Sequence, residues 1–445
     1  MTKSRLQHIS DEIMRTDGCS PSYTLSKHVK MANSPFIFYR GSAQLFYADV
    51  KAGVIEFPKE CETIPLTSVM GDCHTSNFGF LTEEGSHGDT VIFAPNDFDD
   101  ACVGYAQWDV LRFLTSLHLA QQHCLGVVEG KYVIDDIDIA KPVVSHQQVI
   151  NAQYAFIERY VETCNRVVKN AMVLNEAVDY CPDAVPSRLA KLYNKAKARS
   201  AGGENFTVKS ALAKAVHFNG ETLEFKSNSE KYSPLSTQKY TTLLEAFSPY
   251  MDDAVVDIVK RLDAGTGSVN MPRYYFLVGP SKPHSSASFA HCHIVEVKQQ
   301  RVAAPIYYFP SINPVNKLNA AHLTARCQRR MQRKPDLVLD EVRFEDAHYL
   351  VRSRHHAKVG VDPQDIAMGN KAINGGFEYY AELCGYALAL AHCRGDRRST
   401  RFASSASTSF SQVKSLLVKI ANLYTEQVVD DHALFAREVK KSYQH

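Results

Sequence analysis

No Cys-x-x-Cys pair occurs among the eleven cysteines of this 445-residue chain. The count is odd, and several thiols, Cys384 and Cys393 among them, sit in apolar helical patterns. A disulfide framework and a zinc finger are therefore disfavoured, and buried reduced thiols are expected. No apolar run reaches the length of about 18 residues that a membrane span needs. The polar, amphipathic start MTKSRLQHISDEIMRTDG has no apolar core of signal-peptide length. A cytoplasmic protein without membrane contact is the expectation. Charge of one sign is also missing: the formal net charge is +2, and the basic runs CQRRMQRK and HCRGDRRSTR are short enough to read as solvated helix faces or loop charges. Nothing there calls for a nucleic-acid partner. There is no internal repeat and no low-complexity segment. What is present, 45% hydrophobic and 22% charged residues, is ordinary for a globular protein. The length is too great for one small core, so two domains or one bilobal unit is expected.

Periodicity divides the chain into three. Residues 1–204 read as helical, with strands expected only at 64–70 and 90–95. Ser34–Val50 starts at a Ser-Pro boundary and turns helical after Gly41. Tyr105–His123 carries a stripe of Val110, Phe113, Leu114, Leu117 and Ala120, and further helices are expected at about 145–177 and 186–200. The Gly-rich break SAGGENFTVKS then opens a strand-rich stretch, 205–360. It begins with a hairpin turning at Asn219-Gly220. It continues with a helix over about 236–262, a glycine-rich turn entering a strand, the strands AHCHIVEVKQQ and APIYYF, a basic helix over about 316–333, and two more strands. Residues 361–445 are helical again, with Phe377, Tyr380, Cys384, Leu388 and Ala391 on one stripe.

The chemistry gathers in two short stretches. MGDCHTSNFGF, Met70 to Phe80, follows an apolar-leaning strand and holds Asp72, Cys73, His74 and Asn77; NDFDDA, Asn96 to Ala101, follows the next strand. Turn formation asks for Gly, Asn and Asp, but not for the His or for a second acidic cluster. Asn and Asp oxygens converging from neighbouring strand ends suit a hard cation such as Mg²⁺. An Asp outside that set suits proton acceptance from a hydroxyl. Phosphoryl transfer in kinases uses such a trio: a base Asp, an Asn five residues on, and a second metal-binding Asp opening a D-F-G-like motif. Asp72, Asn77 and Asp97 stand at those positions, with Asp99 as a further ligand candidate. His74 stands with Asp72 and Arg40 among the candidate catalytic residues, either as a proton carrier or as a hydrogen-bonding residue beside the base, and Cys73 is expected as a small filler without a base to activate it. Arg40, in FYRGSA, is expected to fork onto Asp97, Asp99 or a phosphate oxygen. Trp108, Asp109, Arg112, His392 and Arg394 are expected to be structural.

A kinase also needs a glycine-rich loop over the phosphates and a strand lysine. Neither precedes residue 70, but GTGSV, with Gly265, Gly267 and Ser268, enters a strand far downstream, and HIVEVK ends on Lys298. The D-x-H-x-x-N form of the first stretch resembles the catalytic loop of aminoglycoside-phosphotransferase-like kinases, with Met70 where those carry His. Over about 30–435 the chain is identified as a member of the bacterial domain-of-unknown-function family 2252, which is placed with the protein-kinase-like superfamily. The motifs are SPFIFYRGSAQLFYADV, GDCHTSNFGF, NDFDDACVGYAQWDVLR, GTGSV, VEVK, YLVRSRHHAK, YAELCGYALALAH and YTEQVVDDHALF. The resemblance implies an α+β, two-lobed, protein-kinase-like fold whose strand-rich small lobe comes after the catalytic loop, a circular permutation.

This sequence departs from the family pattern at Gln299, where an acidic residue usually follows the lysine, and at Asn270, where another Gly is usual. The helix after the Lys298 strand offers no Glu, leaving Gln328 or the same-strand Glu296 as polar neighbours. Arg352 and Lys358 have family counterparts and are candidates to reach a ligand. The function expected is Mg²⁺-dependent phosphoryl transfer from ATP to a hydroxyl of a small-molecule or protein acceptor. A catalytically degenerate nucleotide-binding or regulatory protein is the alternative. A metallophosphoesterase is the more distant one, since no further His-bearing metal loop follows GDCH.

Overall fold

Apolar residues at three- and four-residue spacing place Ala106–Val128, His146–Lys169, Phe377–Gly395 and Arg401–Lys441 in long helices. In the computed structural model, which describes residues 4–132, 138–178, 180–182, 184–226, 230–262, 271–283, 285–396 and 399–443, these helices enclose the largest apolar core. Phe113 stacks on Phe156 at a ring separation of 4.3 Å across two of them. Gly385 lets the Phe377–Gly395 helix lie against His146–Lys169: a Cβ there would come within 2.3 Å of the Phe156 carbonyl oxygen. Ser145 starts the second helix with a capping box closed by Gln148.

Four short strands follow one another beside these helices: β1 (Thr67–Val69), β2 (Phe78–Thr82), β3 (Val91–Pro95) and β4 (Cys102–Gly104). β1 pairs with β4, Val69 opposite Cys102, and β2 pairs with β3, Phe78 opposite Pro95. The segments 70–77 and 96–101 therefore run side by side between the same two strand pairs, and the Asn96 N–H donates to the Asn77 carbonyl at 3.0 Å. This topology is what brings the two polar stretches of the sequence together.

The strand-rich stretch contains the hairpin β5 (Val216–Phe218) and β6 (Leu223–Phe225), followed by β7 (Tyr232–Ser233), β8 (Ala254–Arg261), β9 (Arg273–Gly279), β10 (His293–Gln299), β11 (Leu339–Phe344) and β12 (Ala347–Ser353). The last six form one antiparallel sheet in the order β11-β12-β10-β9-β8-β7. Alternation in H-I-V-E-V-K-Q puts Val295 and Val297 into an apolar core with Phe276, Phe247 and Val351, while Glu296 and Lys298 share the other face. Beyond β12 the chain enters β13 (Lys358–Gly360), which pairs with β2 and makes a three-stranded sheet, β13-β2-β3. The protein is thus a mixed α+β fold with several antiparallel sheets.

Four elements differ from the sequence expectation. Residues 35–41 are already helical before Gly41, started by Pro35 behind a Ser34 cap. The segment 206–215 is two short helices rather than a strand, and Ser210 caps the second by accepting from the Ala213 N–H. The helix expected to reach 262 ends at Phe247, and the β-branched AVVDIVKR forms β8. APIYYF holds a helical turn, Ala304–Tyr308, with Pro305 in its first turn. In addition, FGFLT is strand β2, which the sequence reading passed over. All eleven cysteines are free thiols.

Candidate functional site

Asp109, in the first turn of Ala106–Val128, accepts the N–H groups of Met70 at 2.6 Å and Gly71 at 3.1 Å. The fully buried His392 backs it, with Nε2 3.1 Å from Asp109 Oδ2 and Nδ1 2.8 Å from the Tyr160 hydroxyl. Tyr47 Oη donates to the Gly71 carbonyl at 2.6 Å. Gly71 is left-handed, φ 75°, and a Cβ on it would lie 1.9 Å from the Asp100 carbonyl oxygen. The backbone ahead of Asp72 is therefore fixed from three sides.

One helical turn after Asp109, Arg112 reaches the same loop. Its Nε and Nη2 both donate to Asp72 Oδ1, at 2.9 and 2.5 Å, and Nη2 also donates to the Tyr39 carbonyl at 2.9 Å. Asp72 Oδ2 is left facing His74 Nε2 at 3.7 Å, too far for a hydrogen bond. Burial, and then the cations Arg40 and Arg112, hold the His74 imidazole far below its ordinary value, so it is neutral and carries no charge to Asp72. Its Nδ1 is buried without a partner. Cys73 is buried, and burial pushes its thiol well up, as a filler requires.

Asn77 spends its amide nitrogen on the Asp72 carbonyl, 2.8 Å away, leaving its amide oxygen as the group it can offer a cation. Across from it, Asp97 accepts the Asp99 N–H at 3.2 Å. Burial and the neighbouring Asp99 push the Asp97 carboxyl up, against the pull of Lys358, Lys298 and Arg352. For Asp99 the balance is reversed: burial opposes ionisation, but Lys298, Arg352 and Arg273 hold it well down. Lys298 Nζ donates to Asp99 Oδ2, and Asp99 Oδ1 is buried with no partner.

Lys298 thus bonds directly to neither of its expected neighbours, though its charge adds to those that hold the Glu296 carboxyl down. Gln328 donates instead to Asp336 at 2.9 Å. Glu296, paired in register with Arg352, accepts from that residue at 2.9 Å and from Arg273 at 3.3 Å, and these arginines hold its carboxyl far down despite burial.

Arg40, Asp72, His74, Asn77, Asp97 and Asp99 all line one cleft of about 370 Å³ between the helical part and the large sheet. Arg40 forms no ion pair among the described residues, its Nε is buried without a partner, and burial lowers its pKa against the pull of Asp362, Asp72 and Asp97. It therefore pairs with neither Asp97 nor Asp99. Arg352 and Lys358 also line the cleft. Gly265, Gly267 and Ser268 lie outside the described residues. Among the described residues no three His, Cys, Asp or Glu side chains form a metal-binding group; the Asp97 and Asp99 carboxylates and the Asn77 amide oxygen line the cleft together with Asp72.

The sequence reading passed over Asp109 and Arg112 as parts of the site, and Arg301, which pairs with Asp100 at 2.9 Å. Their only signal was position: Asp109 and Arg112 lie one turn apart at the start of a helix that directly follows the second polar stretch.

Residues 20–136 and 140–438 match the family described as "Uncharacterized protein conserved in bacteria (DUF2252)", and the chain belongs to it. No curated protein and no solved structure matches the chain significantly.

Proposed function

We propose that this member of the family transfers a phosphoryl group from Mg²⁺-bound ATP to a hydroxyl, on a protein-kinase-like fold with its lobes permuted in sequence. The observation that carries the proposal is the convergence of Asp72, Asn77, Asp97 and Asp99, from two adjacent loops, on one cleft, with Lys298 of the large sheet bonded to Asp99. In this reading the six-stranded sheet is the small lobe, and the passage from β12 to β13 is the link to the helical lobe.

Asn77, Asp97 and Asp99 would hold Mg²⁺, which would supply charge neutralisation at the phosphates. Two carboxylates and an amide leave room for the waters and phosphate oxygens that Mg²⁺ prefers, and the unpartnered Asp99 Oδ1 is a ready ligand. Lys298 turns from Asp99 to a phosphate oxygen. Arg40, without a carboxylate partner, meets the charge that builds on the transferred group. Arg112 holds one oxygen of Asp72, and the other takes the proton of the acceptor hydroxyl. The acceptor oxygen bonds to the γ-phosphorus as the bond from that phosphorus to the bridging oxygen of ADP breaks.

Thermal unfolding of wild type and Asp97→Ala, with and without ATP and Mg²⁺, tests the reading. A ligand specific for the folded state adds about 2.7 kcal/mol at a hundred times its dissociation constant. A Mg²⁺-dependent shift in wild type that Asp97→Ala loses is expected. No shift at millimolar ATP would exclude an active nucleotide site in this protein.

A further inference from the structure

A second pocket, of about 190 Å³, shares a wall with the cleft, formed by Glu296, Arg352, Arg354 and Lys358. Its outer side comes from the segment after the Gly-rich break: Arg199 at the end of the helix Leu189–Arg199, Lys209 and Lys214. The Ala211 N–H donates to the His356 carbonyl at 2.8 Å, and Phe206 packs edge-on against the His356 ring, so this segment is tied to the shared wall.

The charges do not balance. Arg199, Lys209, Lys214, Arg352, Arg354 and Lys358 line the pocket with a single carboxylate, Glu296. That carboxylate is already divided among Arg273, Arg352 and Arg354. Arg199, Lys209 and Lys214 form no ion pair among the described residues. Burial and the repulsion of Arg199, Lys195, Lys231 and Lys209 lower the Lys214 ammonium below its ordinary value. Lys358 donates to the Asn96 carbonyl at 2.6 Å, at the base of the NDFDD loop, and so links the pocket to the cleft.

Arg199 and the exposed Lys209 and Lys214 line one cavity together with Arg352, Arg354 and Lys358, and the last three are also part of the cleft's lining. A monocarboxylate would offset only one of them. A phosphate group carries a charge of about −1.5 to −2 and offers three acceptor oxygens, which matches two lysines and an arginine fork. The chain's net charge of +2 supplies no extended basic track for a nucleic acid.

We propose that this pocket holds a phosphate group of the second substrate, so that the hydroxyl acceptor is itself a phosphorylated small molecule whose phosphate sits among Arg199, Lys209 and Lys214 while its hydroxyl lies in the cleft. The pocket as an anion site stands on its own side chains; its assignment to the acceptor rests on the phosphoryl-transfer reading.

Inorganic pyrophosphate, with EDTA present, is the probe. Calorimetric titration and thermal unfolding are followed on wild type, on Lys209→Glu/Lys214→Glu, and on Asp97→Ala. Both lysines are exposed, so the double variant folds. Expected are binding to wild type that weakens with salt, at least tenfold loss in the double variant, and retention in Asp97→Ala. With Mg²⁺–ATP saturating, pyrophosphate still binds. Absence of binding to wild type, equal binding by the double variant, or displacement by Mg²⁺–ATP would overturn the proposal. A pyrophosphate site that persists while Mg²⁺–ATP fails to bind would overturn the nucleotide reading, and with it the acceptor assignment, but leave the anion pocket standing.

Discussion

Lys298 and Asp99 join the middle of the large sheet to the loop between β3 and β4. One Asp99 oxygen accepts from the ammonium, while the other is buried without a partner. The lysine is 2% exposed and the Asp99 side chain 27%. An ion pair in such a place gains more than a surface pair, because little water screens it, but both charges have lost hydration to make it. Lys298→Met and Asp99→Asn should therefore be non-additive. A double-mutant cycle by urea denaturation is expected to give a favourable coupling of about 1–3 kcal/mol. Additive losses would mean that the pair contributes nothing specific to joining sheet and loop.

Asp97 pays for its position in the opposite sense. Its carboxyl is pushed above the ordinary 3.8 by burial and by Asp99. The folded protein thus holds that proton more tightly than the unfolded chain. Stability from this group is complete below 3.8 and is lost as pH rises through the folded value. At pH 7, Asp97→Asn is expected to raise the melting temperature, because Asn keeps the acceptor for the Asp99 N–H and removes the disfavoured charge. The gain should shrink as pH falls through the raised folded value toward 3.8, and should be absent below 3.8. Melting curves of the two proteins across pH 3 to 8 decide it; a variant less stable at pH 7 would mean that Lys358, Lys298 and Arg352 outweigh the burial and repulsion.

The first and second polar stretches were legible because they combine residues that a turn does not need. Lys298 was legible as the lysine ending a strand downstream of GTGSV, and alternation in that strand put Glu296 on its face. Their meeting follows from pairing of β1 with β4 and β2 with β3, and β2 itself was not read as a strand. Arg112 could be placed on a helix but not opposite Asp72, since periodicity assigns a face and says nothing of a partner 40 residues away. The segment 206–215 was misread for a local reason. Phe206, Thr207 and Val208 favour strands by type, yet the Ser210 cap and the tie from Ala211 to His356 select helical turns. Past Phe247 the opposite occurred: Pro249 supplies no N–H and the β-branched residues that follow pair with β9 rather than continuing a helix.

Gly71 offers a test of the loop that carries Asp72, with Gly53 as its control. Both are left-handed, φ 75° and 74°, but a Cβ at Gly53 meets nothing within 4 Å, whereas at Gly71 it would sit 1.9 Å from the Asp100 carbonyl oxygen. Gly53→Ala should cost only the conformational penalty, about 1–2 kcal/mol. Gly71→Ala adds a collision between the two polar loops and is expected to cost about 2–5 kcal/mol. Urea midpoints compare them; equal losses would mean that the loops separate freely and are not held in register.

Asp72 has two separable duties. It is the partner of Arg112, whose side chain is fully buried, and it presents Oδ2 to the cleft. Asp72→Ala leaves the Arg112 guanidinium with the Tyr39 carbonyl and the Tyr39 and Phe46 rings but no carboxylate, and should cost about 3 kcal/mol, the lower end for an orphaned buried charge because Asp72 is partly exposed. In Asp72→Asn the amide oxygen still accepts from Arg112, so the loss should be on the order of 1–2 kcal/mol. That variant can then be assayed as a folded protein. Under the phosphoryl-transfer reading it binds Mg²⁺–ATP as wild type does, but turnover falls by about 10²–10⁴-fold, because the amide cannot take the hydroxyl proton. Full turnover in Asp72→Asn would leave Asp72 as a structural partner of Arg112 alone and would require another group in the cleft to accept the proton.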